Sequence, residues 1–408
     1  MKRRDFLKLG LQSTLAFGGS SILSACGGGK DVVPARPSQR SVVAAVRGTD
    51  LYEMTRRVLA DIGSVEAVVR PGEKVFIKPN FMAVGLLPDP FVNGWSTKPE
   101  IVIAVAEECL KAGASEVIIG DGAQVPSWSW EEVLTLDGRT NLSAAAQDLR
   151  STYGRMVSLA CLEVDTPEWI EVDASVEVEP GIKKISVSSL FYGADRIISV
   201  PVLRTHPWTQ LTLSMKNVLG VTPLRRYGTS IMRNLLHEAY AHSGGIEQCF
   251  IDILKARKPD LAILDASRGV EGLMSTVDMR DRLGDWLLLA GTDLVAVDAT
   301  AARIVKHEVG EVKQLGMASA QGLGRVREED IQVVGPPLEE LRVDWLRAVH
   351  VEEWSAATSV EAAALGPAGA GGSRGFNYLL PVLGSAGTVY CLKNRFCAGQ
   401  SRCVPSSD

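Results

Sequence analysis

From Ser41 onwards the chain alternates between short apolar runs and longer amphipathic segments. The apolar runs predict buried strands, at residues 42–46, 75–77, 116–119, 197–202, 261–264, 286–289 and 331–334. The amphipathic segments predict helices, at residues 51–62, 99–112, 211–219, about 230–255 and 294–305. Strands separated by helices predict an α/β fold, with a mainly parallel twisted sheet flanked by helices.

Two helix boundaries can be predicted from single residues. Gly113 should end the helix at 99–112, and Ser96 or Thr97 should cap its start. Gly244 and Gly245 predict a break in the helical segment at 230–255, shortly after His237 and His242.

The stretch 195–220 has the layout that open α/β proteins use to bind ligands. It begins as a buried strand and then turns at Arg204 to Pro207, because a proline disfavours the helical conformation of His206 before it. The predicted helix that follows carries Lys216 and Asn217. We therefore expect a site at this strand end.

The domain limits follow from changes in pattern. The regular alternation fails over about 123–188, which we interpret as an insertion with antiparallel strands and a helix near 142–153. The α/β domain is expected to cover 41–355. Residues 356–408 are rich in Gly and Ala, carry three cysteines and predict a flexible tail.

The N-terminus predicts export and a lipid anchor. Residues 1–25 contain Arg3 and Arg4 before an apolar stretch, the pattern of a twin-arginine signal peptide. The sequence Leu-Ser-Ala-Cys ending at Cys26 resembles a lipoprotein processing box, which implies cleavage before Cys26 and lipidation of its sulfur. Residues 26–40 would then be a lipidated linker, on the periplasmic or cell-surface side of a membrane. The alternative is an ordinary exported protein with a chance cysteine.

Charge excludes one class of partner. The whole chain has a formal charge of −5, and loss of four basic and one acidic side chain with residues 1–25 leaves −8. An acidic mature chain without a basic tract argues against nucleic acid. Membrane contact is expected from the anchor instead.

Polar side chains recur at the predicted strand ends, on the edge where such folds bind ligands. These are Lys78, Asn80, Asp121, Arg204, His206 and Asp265, and further candidates are Lys216, Asn217, His237, His242, Asp252, Arg268 and Glu271. Two kinds of site fit them. In the first, Lys78, Arg204 and Lys216 hold a small carboxylate or phosphate while Asn80 and Asn217 orient it. In the second, His206, His237 or His242 joins Asp121, Asp265 or Glu271 around a divalent metal.

The cysteines argue against an iron–sulfur cluster. Cys391, Cys397 and Cys403 are each separated by five residues, unlike the close pairs of cluster or zinc sites. In an oxidising compartment one disulfide with a spare thiol is expected there. Cys109 and Cys249, like Cys161, lie in apolar surroundings and are expected to be core residues.

Several short motifs occur in an order that resembles a known family. They are IKPNF, AGASEVIIGDGA, VPVLRTH, LTLSMKNVLG, PDLAILDA and DLVAVDA, and they span roughly residues 42–334. The chain is identified as a member of the family named domain of unknown function 362. The resemblance marks Lys78, Asn80, Asp121, His206, Lys216, Asn217, Asp265 and Asp298 as motif residues, without giving their roles. Relatives often have lysine in place of Arg204 and are linked with iron–sulfur proteins, although this chain lacks their cysteine clusters.

Two functions lead among those that the sequence leaves open, and a third, a redox protein with a bound cluster or flavin, is disfavoured by the cysteine spacing. One is an anion-binding enzyme, with or without a metal, whose catalytic candidates are His206, Lys216 and Asp265 and whose ligand-binding candidates include Glu271. The other is a non-catalytic binding or assembly lipoprotein that serves a redox partner. The sequence does not decide whether the protein is an enzyme, nor which cofactor it uses.

Overall fold

The structure is a computed structural model that describes residues 40–228, 233–272 and 275–348. The predicted signal peptide, the lipidation site at Cys26, nearly all of the linker and the tail at 356–408 lie outside these residues. They stay predictions.

The described residues form a large mixed sheet, a separate pair of strands and helices on both faces of the large sheet. The strands are β1 Ser41–Gly48, β2 Lys74–Pro79, β3 Glu116–Asp121, β4 Met156–Cys161, β5 Trp169–Asp173, β6 Lys184–Ser188, β7 Arg196–Val200, β8 Val202–His206, β9 Gln210–Thr212, β10 Leu261–Glu271, β11 Ser275–Asp278, β12 Trp286–Gly291 and β13 Ile331–Val334. The helices are α1 Leu51–Asp61, α2 Pro99–Lys111, α3 Leu142–Tyr153, α4 Leu162–Asp165, α5 Ser189–Tyr192, α6 Leu224–Tyr227, α7 Asn234–Tyr240, α8 Ile246–Ala256, α9 Arg280–Leu283, α10 Leu294–Ile304, α11 Lys313–Ala320 and α12 Leu338–Leu341.

The sheet has the strand order β13-β1-β12-β10-β7-β2-β3-β4. The run from β10 to β4 is parallel, whereas β12 pairs antiparallel with both β1 and β10. The strands β8, β9 and β11 extend the sheet from β10. The predicted α/β class with a mainly parallel sheet is confirmed.

The apolar strand residues divide between two cores on opposite faces of the sheet. Phe76 packs in one core, whereas its neighbours Val75 and Ile77 pack in the other, because successive side chains of a strand point to opposite faces. Helices α1 and α2 cover the second core, and α8 and α10 cover the first. Burial on both faces explains why these strands are continuously apolar in sequence.

The stretch at 123–188 contributes to two sheets. The helix α3 has the predicted bounds, and β5 and β6 form the expected antiparallel pair apart from the main sheet. β4, however, pairs in parallel with β3 and extends the main sheet. This part of the stretch therefore belongs to the central architecture.

The helix predicted at 211–219 is wrong. β8 continues through His206, and Gln210 adopts a positive φ of 58°, so that β9 folds back antiparallel onto β8. Helical structure is limited to a 3₁₀ turn over Lys216–Val221. The predicted site consequently lies on a β-hairpin and the segment after it.

Two other helix predictions need correction. Neither Ser96 nor Thr97 caps α2: the N-cap is Lys98, whose side chain makes no capping bond, and the Thr97 hydroxyl donates to the carbonyl of Val200 instead. The predicted helix at 230–255 is divided into α7 and α8 with Gly244 and Gly245 between them, both at positive φ, as the glycines predicted. Its first residues lie outside the described chain.

Within the described ranges, the structure contains no helix that is both long and apolar enough to cross a membrane.

Candidate functional site

Four side chains gather beside the β8–β9 hairpin, and we name them the cation cluster: Arg204, His206, Lys216 and His237. β8 supplies the first two, the 3₁₀ turn after β9 supplies Lys216, and α7 supplies His237. The arginine is buried, whereas the other three side chains are partly open to solvent. The cluster thus has a closed end at Arg204 and an open end at the lysine and the imidazoles.

Arg204 lacks a countercharge in the part of the chain that the structure describes. Its guanidinium carbon lies 5.2 Å from the centroid of the Trp95 ring, and Nη1 donates to the sulfur of Met82 at 3.4 Å. Its Nε is buried without a hydrogen-bond partner. Burial lowers the pKa of Arg204 to about 10, so the group is still charged at neutral pH. A buried cation held only by a ring and a thioether is costly unless a ligand compensates it.

Lys216 is in a similar position. Its Nζ donates one hydrogen bond, to the Thr209 hydroxyl at 3.3 Å, and no described carboxylate forms an ion pair with it. Burial lowers the pKa of Lys216 well below its ordinary value, and the nearby charge of Arg204 adds to this effect while Glu247 opposes it. The net effect is that Lys216 loses its proton more readily than a lysine in water.

Both histidines of the cluster contact the same tryptophan, Trp208. The ring centroid of Trp208 lies 5.5 Å from that of His206 and 5.2 Å from that of His237. Burial, followed by the charge of Lys216, lowers the pKa of His206 well below 6.5 and that of His237 to about 4. Both imidazoles are neutral at pH 7. In addition, Nδ1 of His206 accepts the backbone N–H of Trp208 at 3.3 Å, which places the proton of the neutral ring on Nε2.

The backbone around the cluster is fixed from two sides. Asp298 on α10 accepts the backbone N–H groups of Ser214 and Met215, directly before Lys216. On the other side, Gly94 has a φ of +73°, and a Cβ there would lie 2.4 Å from the carbonyl oxygen of Gly269. Only glycine allows this close approach, which brings the next residue, Trp95, over Arg204.

Lys78, Asp121 and Asn217 form a separate polar group inside the protein. Lys78 makes an ion pair with Asp121 and a hydrogen bond of 3.4 Å to Oδ1 of Asn217, and both ionic side chains are almost completely buried. Asp121 also accepts the backbone N–H of Phe81 at 2.6 Å, and Asn217 donates to the hydroxyl of Ser199. The structure does not place Lys78 or Asn217 with the cation cluster as a joint clamp.

Asp265 is engaged in a second buried ion pair. Its Oδ2 lies 3.3 Å from Nζ of Lys98, and the Lys98 amine also donates to the carbonyl of Arg268. Oδ1 of Asp265 accepts both the backbone N–H and the hydroxyl of Ser267. Asp265 therefore stabilises the start of α2, and the structure does not bring it to His206.

The remaining sequence candidates are dispersed. Oδ1 of Asn80 accepts the backbone N–H of Met82, and Glu271 is bound by Arg282 and by the backbone of Leu346. Elsewhere, His242 is exposed, Asp252 accepts the hydroxyl of Tyr240, and Arg268 pairs with Asp278. The sequence missed Lys98 and Trp95, which lie in a loop without periodic pattern. It also missed Arg233, a buried arginine that donates to the carbonyls of Gly122 and Thr222.

The proposed metal ligands do not converge. Among the residues that the structure describes, no group of three or more His, Cys, Asp and Glu side chains could hold a metal ion. His206 and His237 are separated by the Trp208 ring, and the two aspartates are paired with lysines. Cys109, Cys161 and Cys249 are buried free thiols, in agreement with a structural role.

A cleft of about 630 Å³ lies elsewhere, between the loops 84–92 and 132–138. Its lining is mostly apolar, and its charged residues are Asp89, Glu132 and Asp137. None of the cation-cluster residues lines this cleft. The charges that line this cleft are all acidic and do not match an anion.

The family model of a domain of unknown function (DUF362) matches residues 75–303, more than half of the chain. The chain belongs to this family. The matched region contains the cation cluster and both buried lysine–aspartate pairs. A curated DUF362-type relative, the Thylakoid-associated protein sll1697 of Synechocystis sp., is 24% identical over 296 residues, which cover 72% of this chain and 82% of that protein.

Solved structures show weaker likeness. The lactate racemase apoprotein from Thermoanaerobacterium thermosaccharolyticum has a TM-score of 0.36 and 10% identity, over 67% of this chain and 58% of that structure. A structural-genomics protein from Thermotoga maritima has a TM-score of 0.32 and 13% identity, over 67% of this chain and 60% of that structure. The chain thus spans less than two thirds of either structure. No argument about activity rests on likeness of this degree.

Proposed function

We propose that this DUF362 protein binds a small anionic ligand at the cation cluster and acts on it as an enzyme. The observation that carries the proposal is the charge of Arg204, which is buried without an ion-pair partner among the described residues and lies close to Lys216. Elsewhere in the same interior, Lys78 and Lys98 each have an aspartate. The missing countercharge is what an anionic ligand would provide.

The chemistry of the cluster fits a carboxylate or a phosphate. A guanidinium binds the two oxygens of such a group in a planar fork, and the low polarity around Arg204 strengthens the interaction. Neutral His206 and His237 can donate or accept a hydrogen bond without adding charge. The indoles of Trp95 and Trp208 contact Arg204 and the two histidines, so the site would be flanked by aromatic rings.

Anion binding can be measured by calorimetry and by thermal unfolding in a panel of phosphate, sulfate and small mono- and dicarboxylates. We expect at least one of them to stabilise the protein, by about 2.7 kcal/mol at a concentration 100 times its Kd. Arg204→Met should weaken that binding at least 100-fold. Lys216→Ala and His206→Ala should remove it while leaving the melting temperature of the free protein nearly unchanged.

Arg303→Met is the matched control. Arg303 lies on α10 and pairs with Glu328, away from the cluster. The Arg303→Met variant should bind anions with the same affinity as the natural protein. If no anion stabilises the natural protein more than Arg204→Met, the proposal fails. If Lys216→Ala and His206→Ala both unfold, these residues are structural and the proposal fails as well.

We further propose that the protein is exported by the twin-arginine route and anchored by lipid at Cys26. The pattern of residues 1–26 supports this, and the relative from Synechocystis is named as thylakoid-associated. Labelling with a radioactive fatty acid in the native host should mark the protein and not Cys26→Ser. Replacement of Arg3 and Arg4 by lysine should retain the protein in the cytoplasm. Equal labelling of the Cys26→Ser variant would contradict the anchor.

A further inference from the structure

We propose that Lys216 is a nucleophile that forms an imine with a small carboxylic acid bearing an aldehyde or ketone group, while Arg204 holds its carboxylate. This inference rests on the proposed anion site and names its substrate class. It follows from the surroundings of the Lys216 amine, which differ from those of the other buried lysines of the described chain.

The difference is one of pairing and access. Lys78 and Lys98 are completely enclosed and each is bound to an aspartate, so neither amine can reach a ligand. Lys216 is partly open, and its amine makes a single hydrogen bond, to the Thr209 hydroxyl. Thr209 in turn donates to the carbonyl of Leu211, so that its oxygen accepts from the lysine.

The charges around Lys216 favour the reactive form. A lysine beside another cation and away from water loses its proton readily, which is how enzymes obtain an amine nucleophile at neutral pH. Arg204 is the neighbouring cation here, and burial is the larger cause of the lowered pKa of Lys216. The charge of Glu247 opposes these effects without reversing them.

The step is balanced by groups already present. The nitrogen lone pair attacks the carbonyl carbon, the π electrons move to oxygen, and a first proton is transferred from nitrogen to that oxygen to give a carbinolamine. Loss of water then gives the imine, with a proton transferred from nitrogen to the departing oxygen. The neutral imidazoles of His206 and His237 can carry that proton. The resulting imine withdraws electrons from the adjacent carbon, so bonds at that carbon become easier to break.

Borohydride reduction tests the imine directly. Full-length protein in detergent is incubated with glyoxylate, pyruvate or levulinate, which place the carbonyl at different distances from the carboxylate, and is then reduced with sodium borohydride. Peptide mass spectrometry should show one adduct on Lys216 at pH 7, at least ten times more abundant than on the exposed Lys111 or Lys258. Lys216→Arg should abolish the adduct, because a guanidinium is not a nucleophile under these conditions.

The outcomes separate this inference from the anion site. If anions bind in an Arg204-dependent manner but none of the three acids is trapped on Lys216, the imine is excluded and the anion site stands. Trapping on surface lysines alone, to the same extent in Lys216→Arg, also overturns the inference. If no anion binds at all, both proposals fail. An adduct on Lys216 that disappears in Arg204→Met would support both.

Discussion

The carboxylate of Asp298 accepts the backbone N–H of Ser214 at 2.8 Å, although the two residues are 84 positions apart. Its second oxygen accepts the N–H of Met215 at 3.0 Å. Helix α10 thus determines the path of the chain directly before Lys216. The position of the lysine depends on a contact with a helix that supplies no side chain to the cluster.

Asp298 should make stability depend on pH. Burial raises the pKa of Asp298 to about 7, from an ordinary value of 3.8. Between these values the folded protein keeps a proton that the unfolded chain releases, so this contribution is present at low pH and is lost as pH rises to about 7. Relative to Asp298→Asn, the natural protein should lose up to about 1.4 kcal/mol per pH unit across that range.

Urea unfolding of both proteins at pH 5, 6, 7 and 8 measures this difference. The difference should level off above pH 7, where Asp298 is ionised in both states. A difference that stays constant from pH 5 to 8 would show that the pKa of Asp298 is not raised.

Removal of Lys78 should lower the free energy of unfolding much more than removal of Arg204. Lys78→Met leaves the buried Asp121 without its partner, which should cost about 3–5 kcal/mol. Arg204→Met removes a cation that has no described ion-pair partner, so the ligand-free protein should be as stable as before, within about 0.5 kcal/mol, or more stable.

Chemical denaturation without added anions tests both variants. Lys78→Met combined with Asp121→Leu should recover much of the lost stability, since no unpaired charge remains. A loss in Arg204→Met as large as that in Lys78→Met would mean that Arg204 has a structural partner.

His237 should sensitise the protein to acid. Burial lowers the pKa of His237 to about 4, so between pH 6.5 and 4 the unfolded chain takes up a proton that the folded protein does not. Stability is therefore complete above pH 6.5 and is lost as pH falls. Because the ring is partly exposed, the loss should be less than about 1.4 kcal/mol per pH unit.

The measurement is the difference in melting temperature between pH 7 and pH 5. His237→Gln should narrow the gap between them, whereas the exposed His242→Gln should leave it unchanged. Equal gaps in all three proteins would contradict the lowered pKa.

Gly220 should be intolerant of even one methyl group. A Cβ there would lie 2.7 Å from Oδ1 of Asp121 and 2.9 Å from Nζ of Lys78. Gly220→Ala must push the ion pair apart and should cost about 1–3 kcal/mol. At Gly310 a Cβ would meet no atom within 4 Å, so Gly310→Ala should change stability by less than about 0.5 kcal/mol in the same unfolding experiment. Equal stability of the two variants would show that the pair can shift at no cost.

The sequence predicted the central strands well because burial on both faces leaves continuous apolar runs such as β2 and β10. It failed at 211–219, where Leu211, Leu213 and Met215 suit the alternation of a strand and also a buried helix. The chain forms a hairpin there because it turns at Gln210, which has a positive φ of 58°. Glycine and asparagine are the residues that usually signal such a turn in a sequence, and Gln210 is neither.

The sequence predicted where the candidate site lies along the chain, but it did not predict which side chains contact one another. Arg204, His206 and Lys216 could be found because they follow one buried strand. That Lys78 pairs with Asp121 while Lys98 pairs with Asp265, 167 positions away, depends on loop paths that periodicity does not describe. Trp95 was missed for the same reason, since a close contact between Gly94 and Gly269 determines its place.

The position of β1 bears on the order in which the protein acquires its structure. This first strand lies between β12 and β13, which end at Gly291 and Val334. During synthesis, neither edge of β1 can form its hydrogen bonds until its partner strand has been made, more than two hundred residues later. Pairing over such separations is slow, and unpaired strand edges expose a nascent chain to aggregation. We therefore expect completion of the sheet to be a late event of folding, and truncation before β13 to leave one edge of β1 unpaired.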